Sequence, residues 1–355
     1  MITGNKGEWS ELYVLLQLLA KGKIYAADEF LNRLDDIYFP VLKVLREDKD
    51  RNIIDYIVTE NGVIELRKNG QFVKSVEQNR FQEEADYLFS QIISGNSGSF
   101  CVRETETFMD YIACDRLAAP STNKTDITVQ IHDINTGYSP ICGFSIKSEL
   151  GNPPTLLNAS EATNFIYTIN EMSDDLAEEI NNIDSRNKIL DRISAITEVS
   201  DICFEKVNNE SFSENLMLVD SLMENIVAEM LKIYYVENIS SCADLVNRLE
   251  TQNPLGYPSE GFYTYKVKKL LCAIALGLKP SAKWDGIDEA NGGYIITTTS
   301  GDVLVYHLYN RNAFEQYLLN NTRLERASTS RHKYAEVYKE DGVSKIKLNL
   351  QIRFK

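Results

Sequence analysis

The chain has 355 residues, 43% of them hydrophobic and 25% charged, with a formal net charge of −15; this balance belongs to a globular protein with a sizeable core and excludes a disordered or low-complexity chain. No apolar run approaches the roughly 18 residues of a membrane helix, and the opening Met1-Ile2-Thr3-Gly4-Asn5-Lys6 lacks the basic and apolar regions of a signal peptide, so a cytoplasmic location is expected. Six scattered cysteines exclude close-spaced zinc or dithiol motifs and read as buried free thiols, and three histidines are too few for a His-rich metal site.

In chain order, residues 7–21 predict a helix, with Leu12, Leu15, Leu16 and Leu19 at helical spacing and Gly22 as its stop. Helix-like segments follow around 27–36 and 80–94. Between them, residues 53–58, 63–67 and 72–73 read as short strands turning at Asn61-Gly62 and Asn69-Gly70. Residues 125–148 read as a hairpin: Ile127, Val129 and Ile131 alternate with polar residues, and the turn carries Asn135 and Gly137. A loop with Gly151, Pro153 and Pro154 leads to a helix expected from Ser160. Residues 171–250 read as mostly helical and acidic; between 161 and 236 there are 16 acids and 5 bases. Residues 292–308 form a second expected hairpin, followed by a short helix at 312–319 and a β pair of 334–338 with 346–354. Trp9 and Trp284 read as core anchors. Together these predict an α/β (α+β) fold with a mixed central sheet flanked by helices.

The hairpin brings chemistry together. If Asp133 pairs with Tyr138, Asp126 faces Ser145, and Lys147 projects from the same face as Ser145. Diagonal neighbours across such a pair sit roughly 7–8 Å apart, so Asp126 and Lys147 converge. Thirteen residues separate Lys147 from Glu161, enough chain for a second carboxylate to return to that face. Two carboxylates suit Mg²⁺, which prefers hard oxygen ligands, and a lysine beside them suits phosphodiester hydrolysis. The first helix offers a third acid: Glu11 shares an apolar stripe with Leu15 and Leu18, with Glu8 as the alternative. The structural alternatives stand beside this reading. Asp126 then merely opens a strand, Lys147 is solvated, and Glu161, Glu8 and Glu11 stabilise helix N-termini.

The pattern Asp126…Ser145-Ile146-Lys147…Glu161 resembles the PD-(D/E)xK nuclease superfamily in its displaced-acid form. Ser145 stands where that motif usually has an acid, and no Pro precedes Asp126. The segments NKGEWSELY (5–13), LGNPPTLLNAS (150–160), TNF (163–165), STSRH (328–332) and LNLQIRF (348–354) are similar to the HpaII family of restriction endonucleases, over nearly the whole chain. The resemblance implies a restriction-endonuclease-like core with a helical insertion, and Mg²⁺-dependent cleavage of double-stranded DNA at 5′-CCGG or a close variant. It also implies a homodimer on DNA and a cognate methyltransferase as genetic partner. In this reading Asp126 and Glu161 hold the metal, Lys147 positions water, and Ser145 and Glu11 assist.

The chain is expected to be one endonuclease unit, 1–355. Residues 1–115 would contribute the first-helix acid, 116–170 the catalytic hairpin and helix, 171–250 the helical insertion, and 251–355 a DNA-recognising β/α region. Residues 306–355 carry 10 bases and 5 acids. Lys124, Ser148, Asn158, Arg323, Arg326, Ser330, Arg331, His332 and Lys333 are the expected DNA contacts, since Arg reads guanine and hydroxyls hold phosphates. Two rival readings remain: a DNA-binding protein without catalysis that uses the same basic region, and a helical interaction module built on 171–250. No GxxxxGK[ST] is present, so ATP-driven activity is not expected.

Overall fold

The computed structural model describes residues 1–96, 98–119, 124–170 and 172–355. In chain order, α1 (Lys6–Lys21) leads into β1 (Lys23–Ala27), β2 (Arg33–Glu47), β3 (Ile53–Val58), β4 (Val63–Lys68) and β5 (Gln71–Glu77). Then come α2 (Gln78–Ser94), α3 (Arg103–Tyr111), β6 (Ile127–Ile131), β7 (Ile141–Ser148), β8 (Thr155–Leu157) and β9 (Asn164–Ile169). The next stretch holds α4 (Asp174–Asn181), α5 (Lys188–Val199), β10 (Ile202–Val207), α6 (Glu210–Val219), α7 (Met223–Glu237), α8 (Cys242–Gln252) and α9 (Phe262–Leu276). It is followed by β11 (Gly293–Thr297), β12 (Val303–His307), α10 (Arg311–Asn321), β13 (Thr322–Leu324), α11 (Thr329–His332), β14 (Val337–Glu340), β15 (Val343–Asn349) and β16 (Ile352–Phe354). The fold is mixed α/β. Two compact units divide the chain: Met1–Pro154 with Asp288–Tyr317, and Thr155–Ile287 with Leu318–Lys355.

The first unit is a nine-stranded mixed sheet in the order β1-β12-β11-β7-β6-β2-β3-β4-β5. β1 also pairs with β2, so hydrogen bonds close a circuit through six of these strands. α1 is apolar almost all round, and every residue from Leu12 to Leu19 is buried, as a helix packed on more than one side requires. Asn5 and Glu8 cap its start reciprocally, and Gly22, at φ 59°, ends it by donating to Leu18 O. The β3–β4–β5 meander turns at Asn69-Gly70, where both residues have positive φ, the demand of a two-residue hairpin loop. β6 and β7 pair with Ile127 opposite Phe144 and Gln130 opposite Ile141. β11 runs parallel to β7, with Tyr294 beside Ser145 and Ile296 beside Lys147. Gly293 is obligatory there, because a Cβ would sit 1.9 Å from Tyr306 O.

The second unit holds two antiparallel sheets, β10-β9-β15-β14 and β13-β16-β8, with α4–α9 around them. Two of its buried tyrosines are satisfied by backbone: Tyr167 donates to Ala228 O and Tyr235 to Asn349 O.

Several expectations are corrected. The helix expected around 27–36 is a loop followed by β2; the Asp28 carboxylate accepts from the N–H groups of Phe30 and Asn32, turning the chain locally. The helix expected from Ser160 is a single 3₁₀ turn, Glu161–Thr163, because the β-forming run Phe165-Ile166-Tyr167-Thr168-Ile169 continues as β9. A strand, β10, interrupts the helical stretch. The last β pair is β14 with β15, while β16 joins the other sheet. Trp284 is only half-buried and donates to Ile287 O. Cys101 and Cys203 are exposed; the other four thiols are buried.

Candidate active site

Asp126 stands one residue before β6, and its carboxylate turns onto the backbone of β7. Oδ2 accepts from the Ile146 N–H at 2.6 Å and from Ser145 Oγ at 3.0 Å. A residue that faces Asp126 in the hairpin thus becomes its hydroxyl partner. Ser145 is buried. Lys147, two residues on, is half-buried, with Nζ 5.7 Å from the Tyr294 ring centre.

α1 supplies the second acid. The Glu11 carboxylate accepts from the Ala119 N–H at 3.0 Å. Burial, and then the negative charge of Asp126, push its pKa up to about 8; the Ala119 hydrogen bond and the charges of Arg46 and Lys147 act against that rise. One carboxyl therefore feels Asp126, Lys147 and Arg46 together. Glu8 has a different job. Its Oε2 accepts from the Asn5 N–H at 2.7 Å, closing the helix cap. Both acids line the cavity with Lys147, and Glu11 is the one whose ionisation feels Asp126 and Lys147.

Two cavities open here. One, about 710 Å³, is lined by Glu8, Glu11, Ile146, Lys147 and Ser148 among others. The second, about 340 Å³, is lined by Asp126, Arg46, Arg116, Ala119 and Thr125 among others. Ser148 is engaged internally: its Oγ lies 2.8 Å from Ser10 Oγ and accepts from the Leu150 N–H. The Lys124 N–H donates to Glu289 Oε2.

The remaining expected residues lie in the second unit. Glu161 is exposed and opens the 3₁₀ turn; its carboxylate takes Lys333 Nζ at 2.9 Å, which, with the charges of Lys347 and His332, holds its pKa below the usual range. Among the described residues no three His, Cys, Asp or Glu side chains gather as a metal cluster. Glu325 takes Arg323 at 3.1 Å and Arg353 at 2.8 Å. Arg326 donates to Asn238 Oδ1. Ser330 shares a hydroxyl contact with Ser328, His332 O accepts from Asn164 Nδ2, and Asn158 and Arg331 are exposed. Arg46 and Arg116, which line the cavity beside Asp126, were not singled out from the sequence; nothing local in Leu-Arg-Glu or Asp-Arg-Leu marks them.

The family model for the HpaII restriction endonuclease matches residues 5–354. The chain belongs to that family. It is 39% identical to the type II restriction enzyme HpaII of Haemophilus parainfluenzae over 360 aligned residues, covering 99% of this chain and 98% of that one. No solved structure matches. As a member of the HpaII family the chain is a type II site-specific deoxyribonuclease, and its substrate is double-stranded DNA. The reading as a DNA-binding protein without catalysis has no support. Among the described residues no helix is long and apolar enough to cross a membrane.

Enzymes of this class generally need a divalent metal. Asp126 and Glu11 fit one. A hard cation takes one or two protein carboxylates and keeps waters for the rest of its shell. A buried carboxyl whose ionisation is opposed by a neighbouring acid is relieved by a cation placed between them.

Proposed function

We propose that this chain cuts both strands of duplex DNA at a short palindrome, 5′-CCGG or a close variant, with Mg²⁺ as its metal. Asp126 and Glu11 hold the ion; Glu11 takes the place that the sequence pattern offers to Glu161. The observation that carries this reading is the meeting of the Asp126 and Lys147 charges at the buried Glu11 carboxyl. The bound ion supplies charge neutralisation at the phosphate and a more acidic water. Ser145 Oγ and the Ile146 N–H fix the Asp126 carboxylate in one orientation. Lys147 orients the attacking water and steadies the charge that builds on the phosphoryl oxygens. A homodimer matches a two-fold site, and a methyltransferase of the same specificity protects the host DNA in the cytoplasm.

The test is digestion of a plasmid of known sequence with Mg²⁺, followed by mapping of the fragment ends. Lys147→Ala should bind the mapped duplex in Ca²⁺ and fail to cut it in Mg²⁺. A Lys147→Ala protein that cuts at the normal rate overturns the assigned centre.

A further inference from the structure

We propose that Arg46 and Arg116 form a phosphate subsite, holding a backbone phosphate of the DNA strand next to the phosphate that is cut. This rests on the active-site reading above. β2 lies beside β6 with Leu45 opposite Thr128, so Arg46 comes at the end of the sheet where Asp126 enters β6. Arg46, Arg116, Thr125, Asp126 and Thr128 line one cavity of about 340 Å³.

The wall of this cavity carries two acids, Asp126 and Glu47, beside the two arginines, but no ion pair joins them. Among the described residues neither arginine has a carboxylate at ion-pair distance; the one side-chain hydrogen bond of Arg46 runs from Nη2 to Leu117 O at 3.2 Å. Three residues earlier on the same strand, Lys43 is paired with Asp55 at 3.6 Å. In a chain of net charge −15, acids are plentiful, so two half-buried guanidinium groups left without one stand apart. The nearby acids are Glu47 on the cavity wall, Asp115 in the adjoining hollow, and Glu11, whose carboxyl feels Arg46. The Leu117 bond holds the Arg46 plane while leaving its other N–H groups to donate.

A phosphodiester fits this arrangement. It carries one negative charge and two unbridged oxygens, which a guanidinium fork satisfies in its own plane. If Asp126 stands at the cleaved phosphate, the neighbouring phosphate of the same strand needs an adjacent cationic hollow, and this cavity shares Asp126 as its wall. Arg46 and Arg116 are therefore substrate-positioning residues: they fix the register of the strand across the acids and do not take part in bond breaking.

The experiment uses the full chain in Ca²⁺ and cognate duplexes that carry one neutral methylphosphonate linkage at a time, stepped along each strand from the mapped cut. For the unaltered protein, one linkage beside the cut should weaken binding roughly tenfold. In Arg46→Ala and in Arg116→Ala that penalty should vanish at the same linkage, and the slope of log affinity against log salt should fall by about one. Arg46→Lys should keep part of the penalty. Arg116→Ala guards against loss of the Leu117 contact, since Arg116 makes no such bond; a melting curve reports the fold. If every linkage costs the variants what it costs the unaltered protein, the subsite is wrong. That outcome leaves the active-site reading untouched, because only cutting by Lys147→Ala overturns that reading.

Discussion

The two units handle charge differently. In the second, several charged groups are paired within the protein: Glu161 with Lys333, Glu325 with Arg323 and Arg353, Lys345 with Glu205 and Glu340. In the first, around β6 and β7, Glu11 is buried and feels the charge of Asp126, and Arg46 and Arg116 have no carboxylate at ion-pair distance among the described residues. An ion pair closed inside the fold satisfies itself. Charges buried without a counter-charge cost free energy in the isolated protein, and they persist where something from outside supplies the missing partner. On this difference rests the proposal that cation and DNA phosphate enter at the first unit's cluster.

The comparison is broken most sharply at Glu11. Glu11→Gln should lower the cleavage rate roughly 100-fold or more, with binding of the duplex in Ca²⁺ reduced far less; near-normal cleavage would remove Glu11 from the site. In the second unit, Lys345→Met should strand Glu205 and Glu340 side by side without their shared cation. The expected result is a lower melting temperature with kcat unchanged once the protein is folded, read by calorimetry and single-turnover cleavage.

A third test concerns a buried group in the first unit that stays neutral. The His307 ring packs against Phe39 at 4.9 Å and Tyr309 at 5.0 Å, and neither ring nitrogen has a hydrogen-bond partner among the described residues. Burial pulls its pKa down from 6.5 to about 4. The unfolded chain therefore takes the proton first, so its contribution to stability is intact above pH 6.5 and is lost as pH falls toward 4. His307→Phe should flatten the stability profile across that window by about 2 kcal/mol, measured by denaturant titration at several pH values. An unchanged profile would show that the imidazole is not the group responsible. The smallest effect is expected at Glu161: Glu161→Gln breaks an exposed pair and should change the cleavage rate less than about twofold. A large loss there would return Glu161 to the catalytic set.

Much of the first unit was legible from alternation and turn chemistry. The hairpin register followed from Asp133 opposite Tyr138, and with it came the Ser145–Asp126 contact. The Asn-Gly turns of the meander and the α1 stop at Gly22 were equally local. What stayed hidden depends on long-range pairing or on short side chains that override composition. Asp28 turns a segment of helical composition into a loop. Arg46 gains its position from β2 lying against β6, which no neighbour in sequence announces. The parallel insertion of β11 beside β7 has the same character. The helix expected from Ser160 misled because a serine before an acid signals a helix start, whereas the residues after it prefer a strand.

The Asn5–Glu8 cap has a consequence beyond the ends of α1. A helix advances about 100° per residue, so the residue that locks its first turn also sets its rotational phase. Glu11 lies one turn further along. Loosening the lock at Asn5 would let that first turn unwind and swing the carboxyl away from the hairpin. On the proposed reading, the aim of the Glu11 carboxyl depends on an asparagine that starts the helix.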